Sequence, residues 1–148
     1  MKRYIYTAEQ ILAFSKNKID VAADLEEMTR PIIEHLMKLR LFPNTQYCNH
    51  WRNEIAGFLF SVPRLKQNNK FPSKEFILNN TIDMNNDSVD NCLDVVQKEY
   101  SSLEIQPFDY DELINDIYSY FDWLAEELSS KGRVAKTDIV SKLEELRF

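Results

Sequence analysis

Glycine is scarce in this sequence, with two glycines and five prolines among 148 residues. Tight turns between short strands depend on glycine, because glycine reaches positive φ without a steric cost. The composition therefore excludes a fold made of many β-hairpins. We expect an all-α fold, a compact bundle of about six to seven helices in which residues 1–148 form a single domain. A chain of this length buries enough surface to fold without disulfides or metals.

The residues that carry most enzyme chemistry are also scarce, since the chain has two histidines and two cysteines. His35, His50, Cys48 and Cys92 show no zinc-binding spacing. No glycine-rich phosphate loop and no serine-nucleophile motif occurs in the sequence. We therefore predict no catalytic residue, no metal and no cofactor. Each histidine is interpreted as a structural residue, and the two cysteines are interpreted as free thiols.

Long apolar runs are missing as well. No window approaches the roughly 18 continuous apolar residues of a membrane-spanning helix. The opening stretch has a basic start, but Glu9, Gln10 and Ser15 interrupt its apolar residues, so no signal-peptide core is present. We therefore expect a cytoplasmic protein that does not enter a membrane and keeps its thiols reduced.

What the sequence does contain is apolar residues at steps of three and four, which predict amphipathic helices. The clearest helix opens at Asp109 and ends at Gly132. Its predicted buried stripe consists of Leu113, Ile117, Phe121, Leu124 and Leu128. Further helices are predicted after Thr7, from Asp20 with a kink or break at Pro31, from Asn44 or Thr45 to Pro63, after Ser73, from Asp87 or Ser88 to about Tyr100, and from about Thr137 onward.

Two segments of the chain resemble each other, namely residues 8–28 and residues 125–146. The likeness includes a Leu-Glu-Glu-Met string at 25–28 opposite a Leu-Glu-Glu-Leu string at 143–146. Any two amphipathic helices share Leu and Glu at such steps. A true internal repeat and an ordinary likeness between two helices are both open interpretations.

The net charge of −6 is unevenly distributed along the chain. Residues 30–81 carry eight bases and three acids, whereas residues 82–127 carry one base and thirteen acids. The acidic segment either faces the basic segment of the same chain or stays solvated, or it forms a contact surface that attracts a basic partner. The sequence leaves these interpretations open.

The carboxylates of the clearest helix lie off its apolar stripe, so we expect them to be exposed. They predict an interaction surface for a protein partner with a basic surface, and non-enzymatic binding or regulation is the preferred function. An acidic inhibitor of a nucleic-acid-binding enzyme, as in phage–host conflict, is an alternative. Direct nucleic-acid binding does not suit a pI near 5.0. The predicted interaction surface comprises Asp109, Asp111, Glu112, Asp116, Asp122 and Glu126. Aromatic residues that leave a homodimer open are Tyr110, Tyr118, Tyr120 and Phe148.

Four residues separate Arg30 from His35, which gives an Arg-x4-His spacing. This spacing resembles the signature of the HEPN ribonucleases, small helical proteins in which both side chains act on an RNA phosphodiester. The resemblance implies that His35 works as acid or base and that Arg30 holds the phosphate charge. Pro31 departs from it, because a proline directly after the arginine disturbs the helix that would present both side chains. Despite this departure, the resemblance makes ribonuclease activity through Arg30 and His35 the alternative function.

A second resemblance covers residues 24–65, about a third of the chain. This stretch carries a Leu-Glu-rich helix at 25–27, a His-Leu-Met-Lys string at 35–38 and a proline at Pro43. A Trp-Arg pair follows at 51–52, then an isoleucine at Ile55 and a Val-Pro-Arg-Leu stop at 62–65. These features resemble the bacterial all-helical family called domain of unknown function twenty-nine. The resemblance implies an all-helical fold and supplies no activity. From the residues themselves, we expect His35, Trp51 and Arg52 to pack between two helices, with Arg52 binding a helix C-terminus or the acids of the long helix.

Overall fold

Helices α1 to α6 follow one another in the residues that the computed structural model describes, which are 29–60, 73–81, 86–131 and 133–148. No strand occurs in these ranges, and the prediction of an all-α bundle is confirmed. None of the helices in them is long and apolar enough to cross a membrane. The helices are α1 (29–41), α2 (Cys48–Phe60), α3 (Lys74–Thr81), α4 (Asn86–Glu99), α5 (Tyr110–Lys131) and α6 (Lys136–Glu145).

The long helix α5 contributes seven buried residues to the core. Asp109 caps its first turn as predicted, because Asp109 Oδ1 accepts a hydrogen bond of 3.0 Å from the backbone N–H of Glu112. All five residues of the predicted apolar stripe are buried, together with Tyr120 and Ala125. The shorter helix α3 packs against α5, and Ser73 caps it as predicted through a 3.1 Å bond from the backbone N–H of Phe76.

Helix α1 contributes a second buried stripe, which includes Ile32, Leu36 and Leu39. Pro31 lies in the first turn of the helical range 29–41, and because residues before 29 lie outside the described ranges, the predicted kink or break at Pro31 stays a prediction. The sequence predicts Asn44 or Thr45 as the cap of α2, but neither residue caps it. The Thr45 hydroxyl instead donates to the Phe42 carbonyl, and a turn carries the chain to the first residue of α2, three positions later.

The end of the chain closes the bundle against α1 and α2. Helix α6 packs against α2 with Ile139 and Leu143 buried. Arg147 has a φ of 66°, the left-handed conformation that often ends a helix, and the turn that follows buries the Phe148 ring. The sequence predicts that Arg52 binds a helix C-terminus or the acids of the long helix; its Nε instead donates a 3.0 Å hydrogen bond to the carbonyl of Phe148, two residues after the C-cap Leu146 of α6.

Several predictions concern residues outside the described ranges. The helix after Thr7, the first copy of the proposed repeat at 8–28, and the stop at 62–65 all lie there. Gly132 is also outside, although α5 ends at Lys131, directly before it.

Candidate functional site

A cavity of about 630 Å³ opens between α1, α2 and the end of α4. Helix α1 contributes His35 and Lys38, and the start of α2 contributes His50 and Glu54. Volumes of this size are typical of small-molecule sites. The remaining wall comes from Tyr47, Trp51, Glu99, Tyr100, Ser102 and Leu103.

The two histidines of the chain meet at one carboxylate in this cavity. His50 and Glu54 lie one turn apart on α2, and His50 Nε2 is 2.6 Å from Glu54 Oε1. His35 reaches across from α1, and its Nε2 contacts the other oxygen, Glu54 Oε2. Glu54 therefore joins α1 to α2 and holds both imidazoles at the cavity wall.

His35 is fixed at both ring nitrogens. Its Nδ1 lies 2.7 Å from the carbonyl oxygen of Pro31, one turn earlier on α1. A carbonyl only accepts, so this contact requires a proton on Nδ1. The second contact, to Glu54, forms as a hydrogen bond when Nε2 also carries a proton or when the carboxyl group is protonated. His35 is buried, and its ring packs edge-on against Phe58 at 5.4 Å between centroids.

Burial raises the pKa of Glu54, but the hydrogen bond from His35 and the charges of His35, His50 and Lys38 outweigh that effect. The net result is a pKa below the usual value for a glutamate. Glu54 is therefore an anion at neutral pH.

Lys38 adds an ammonium group to the lining of the same cavity, with only 8% of its side chain exposed. Its Nζ lies 5.1 Å from the centroid of the Tyr100 ring, a cation–π contact. Among the described residues, its carboxylate partner is Glu99, at 3.6 Å. That separation gives an ion pair but exceeds hydrogen-bond length.

Three aromatic rings also line the cavity. Trp51 is buried and contacts Tyr100 edge-on at 5.6 Å between centroids. Tyr47 lies over Trp51 at 5.9 Å with the ring planes inclined by 39°. Tyr47 is 44% exposed and lines the cavity, so it presents aromatic surface that a ligand could reach.

The predicted interaction surface on α5 is divided by the fold. Asp116 is paired with Arg40 of α1 at 2.7 Å and with Arg147 at 3.1 Å, and Arg147 also contacts Glu112. The expectation that Asp116 is exposed is wrong, because only 15% of its side chain is accessible. Glu112 is partly buried. Acidic and basic segments of the chain thus face each other at this side of α5.

The remaining acids of the surface lie on the outer side of α5. Asp111, Asp122 and Glu126 are exposed and fall within about 60° of one another around the helix axis. Asp122 is 3.1 Å from Lys74 of α3, and its side chain stays 62% exposed. Asp109 is also exposed, with one carboxylate oxygen used as the helix cap. We call Asp111, Asp122 and Glu126 the acidic stripe.

Arg30 and His35 do not converge on a common site. Arg30 Nε donates a 3.0 Å hydrogen bond to Glu34 one turn along α1, whereas His35 faces Glu54 on α2. A separation of five residues places two side chains about 140° apart around a helix. Arg30 and His35 therefore contact different partners in the described residues, and ribonuclease activity through them stays a prediction.

The aromatic residues considered for a homodimer are partly used in the core. Tyr120 and Phe148 are buried, so neither contributes to an exposed seam. Tyr110 and Tyr118 are partly buried, and the Tyr110 hydroxyl donates a 2.5 Å hydrogen bond to Asp90 of α4.

Sequence reasoning treated His35 and His50 as unrelated structural residues and did not identify Glu54. One local signal was available, since His50 and Glu54 are four residues apart in a predicted helix. The contact with His35 depends on how α1 packs on α2, which spacing does not reveal. Within the described residues, no group of three His, Cys, Asp or Glu side chains is arranged to hold a metal ion.

No family model matches the sequence, and no curated protein or solved structure matches it. The resemblance of residues 24–65 to the family called domain of unknown function twenty-nine therefore stays a prediction. Function has to be argued from the geometry of the molecule itself.

Proposed function

We propose that the protein is a non-enzymatic binding or regulatory protein that recognises a partner with a basic surface through the acidic stripe of α5. The single observation that carries this proposal is the exposure of three carboxylates on one side of α5, two of which, Asp111 and Glu126, form no ion pair with another described residue. Clustered exposed carboxylates accelerate the approach of a basic partner by long-range attraction.

The internal ion pairs support this role because they fix the helix that carries the stripe. Arg40 holds α5 from the inside, and Lys74 of α3 reaches Asp122 at its edge. A rigid display reduces the conformational entropy that binding would otherwise cost. The Asp111 and Glu126 side chains form no ion pair with another described residue, so their charge is available to a partner.

The proposal includes a cytoplasmic location. Both cysteines are described, and both are buried free thiols, which suits a reducing compartment.

Capture of partners from lysate tests the proposal when it compares two triple variants of equal charge. The first neutralises the stripe through Asp111→Asn, Asp122→Asn and Glu126→Gln. The matched control neutralises three exposed acids elsewhere through Asp94→Asn, Glu104→Gln and Glu144→Gln. We expect the wild type and the control to retain the same salt-sensitive partner and the stripe variant to lose it.

Equal capture by the stripe variant and the wild type would reject the acidic stripe as the contact surface. A captured nucleic-acid-binding enzyme would favour inhibition by charge mimicry as the specific role. Unfolding curves of both triple variants distinguish lost binding from lost structure.

A further inference from the structure

The cavity between α1, α2 and α4 combines an aromatic wall with cationic side chains, and it lies apart from the acidic stripe of α5. We propose that it binds a planar aromatic ligand that carries an anionic group, of the class represented by nucleoside monophosphates. This inference goes beyond the function proposed for α5 and depends on none of the residues in the stripe.

Lys38 is the strongest reason to expect an anion. Its side chain is more than nine-tenths buried, and a buried ammonium group is costly unless it is well paired. The ion pair with Glu99 is long, at 3.6 Å, and the Glu99 side chain is about half exposed. Among the described residues, Glu99 is the ion-pair partner of Lys38 and no hydrogen-bond acceptor is recorded for its N–H groups, and Lys38 lines the cavity. A phosphate oxygen in the cavity would supply the missing acceptor.

His50 provides a second group for the same anion. Its Nε2 is held by Glu54, and 66% of its side chain is exposed at the cavity wall. The contact of Nε2 with Glu54 leaves Nδ1 for a ligand, and an imidazole N–H at that position donates to an anion. The contacts with His35 and His50 occupy both oxygens of Glu54, which lowers the repulsion that a ligand anion would meet at this carboxylate.

The aromatic wall accounts for the planar part of the ligand. Tyr47 is one of two large hydrophobic residues that are exposed in the described part of the chain, and it leans over Trp51. Exposed aromatic rings beside a cavity are suited to stacking on a heterocycle, which contributes through its flat face whatever its substituents. A ligand stacked on Tyr47 can direct its charged group toward Lys38, because both side chains line the same cavity.

Isothermal titration calorimetry with AMP, GMP, CMP, UMP and inorganic phosphate tests this inference on the full chain. We expect at least one nucleotide to bind the wild type more tightly than inorganic phosphate does. Lys38→Met and His50→Gln should each weaken that binding, by about tenfold for Lys38→Met, and Tyr47→Ala should reduce the preference for the nucleotide over phosphate. Lys98→Met removes an exposed lysine of α4 outside the cavity and should leave the affinity unchanged.

Three results would overturn the inference. The first is that none of the four nucleotides binds at about 1 mM. The second is that the His50→Gln and Lys38→Met variants both bind the nucleotide as tightly as the wild type does. The third is that the wild type binds phosphate and nucleotide with equal affinity. Because Lys38 is buried, its variant could lose structure, and the largely exposed His50 and Tyr47 keep the test decisive in that event. The acidic-stripe variant should bind the nucleotide as the wild type does, so failure of one proposal is distinguishable from failure of the other.

Discussion

Arg40 on α1 and Asp116 on α5 form an ion pair of 2.7 Å in which both side chains are at most 15% exposed. The same Arg40 nitrogen, Nη2, donates at 3.0 Å to the carbonyl of Leu146 at the end of α6. The guanidinium group also lies over the Phe148 ring at 4.5 Å. One arginine thus joins two helices and the turn that follows a third, and its charge depends on a single buried carboxylate partner among the described residues.

Replacement of Asp116 by asparagine should lower the free energy of unfolding by about 2–3 kcal/mol. Removal of one partner from a buried ion pair leaves the other charge without compensation. Because this pair is partly exposed to solvent, we expect a loss of stability smaller than that for a fully buried ion pair. Arg40 Nε already has no hydrogen-bond partner in the described residues, so the guanidinium cannot easily recover the loss. Urea unfolding at neutral pH measures the change.

The control for this prediction is Asp111→Asn on the same helix. Asp111 is exposed, so its replacement should change stability by no more than about 0.5 kcal/mol. Similar unfolding free energies for the two variants would show that the Arg40 pair contributes nothing to stability.

Glu54 predicts a specific response to acid. Its pKa in the folded protein lies below the usual value of 4.5, because the interactions with His35, His50 and Lys38 outweigh the effect of burial. A group with a lowered folded pKa adds stability above its unfolded pKa and loses it as the pH falls through the folded pKa. Wild-type stability should therefore fall more steeply below pH 4.5 than that of Glu54→Gln.

Urea unfolding of both proteins at a series of pH values from neutral to acidic measures this difference. The effect should be modest, because about two-fifths of the Glu54 side chain is exposed and solvent screens the pair. Parallel pH profiles for wild type and Glu54→Gln would contradict the proposed coupling between α1 and α2.

Cys92 should resist thiol reagents in the folded protein. Burial raises the pKa of its thiol to about 11, the charge of Glu34 adds to the increase, and Arg30 partly opposes it. The thiolate is the reactive form, so at pH 8 roughly one molecule in a thousand carries it, and access is restricted as well. A Cys48→Ala variant isolates Cys92, and we expect negligible modification by Ellman's reagent until urea unfolds the chain. Rapid modification at pH 8 without urea would contradict the burial of this residue.

The sequence was sufficient to predict those parts of the fold that depend on local periodicity. The apolar stripe and Asp109 cap of α5 and the Ser73 cap of α3 are set by residues three or four positions apart, and the structure confirms them. Scarcity of glycine correctly excluded a fold of β-hairpins in the described residues.

The candidate sites were less predictable because they depend on which helices meet. Asp116 and Asp122 look alike as polar residues beside the apolar stripe, yet one meets the buried Arg40 and the other the half-exposed Lys74. The meeting of His35 with Glu54 likewise spans 19 residues and requires that α1 pack on α2. Charge counts along the chain reveal neither outcome, because they contain no information on helix packing.

Tyr120 offers a substitution that should increase stability. Its side chain is fully buried between α5 neighbours, with the Phe121 and Trp123 rings at 5.6 Å and 5.9 Å, and its hydroxyl has no hydrogen-bond partner in the described residues. A buried hydroxyl without a partner has lost its hydrogen bonds to water, and burial likewise raises the pKa of the phenol because it disfavours the charged form. Tyr120→Phe removes this penalty and keeps the ring, so the free energy of unfolding should rise by about 1 kcal/mol.

The matched control is Tyr110→Phe, which loses the hydrogen bond to Asp90 and should be neutral or slightly destabilised. Thermal or urea unfolding of the two variants gives the comparison, and a destabilised Tyr120→Phe would show that the hydroxyl has a partner that stabilises the folded state.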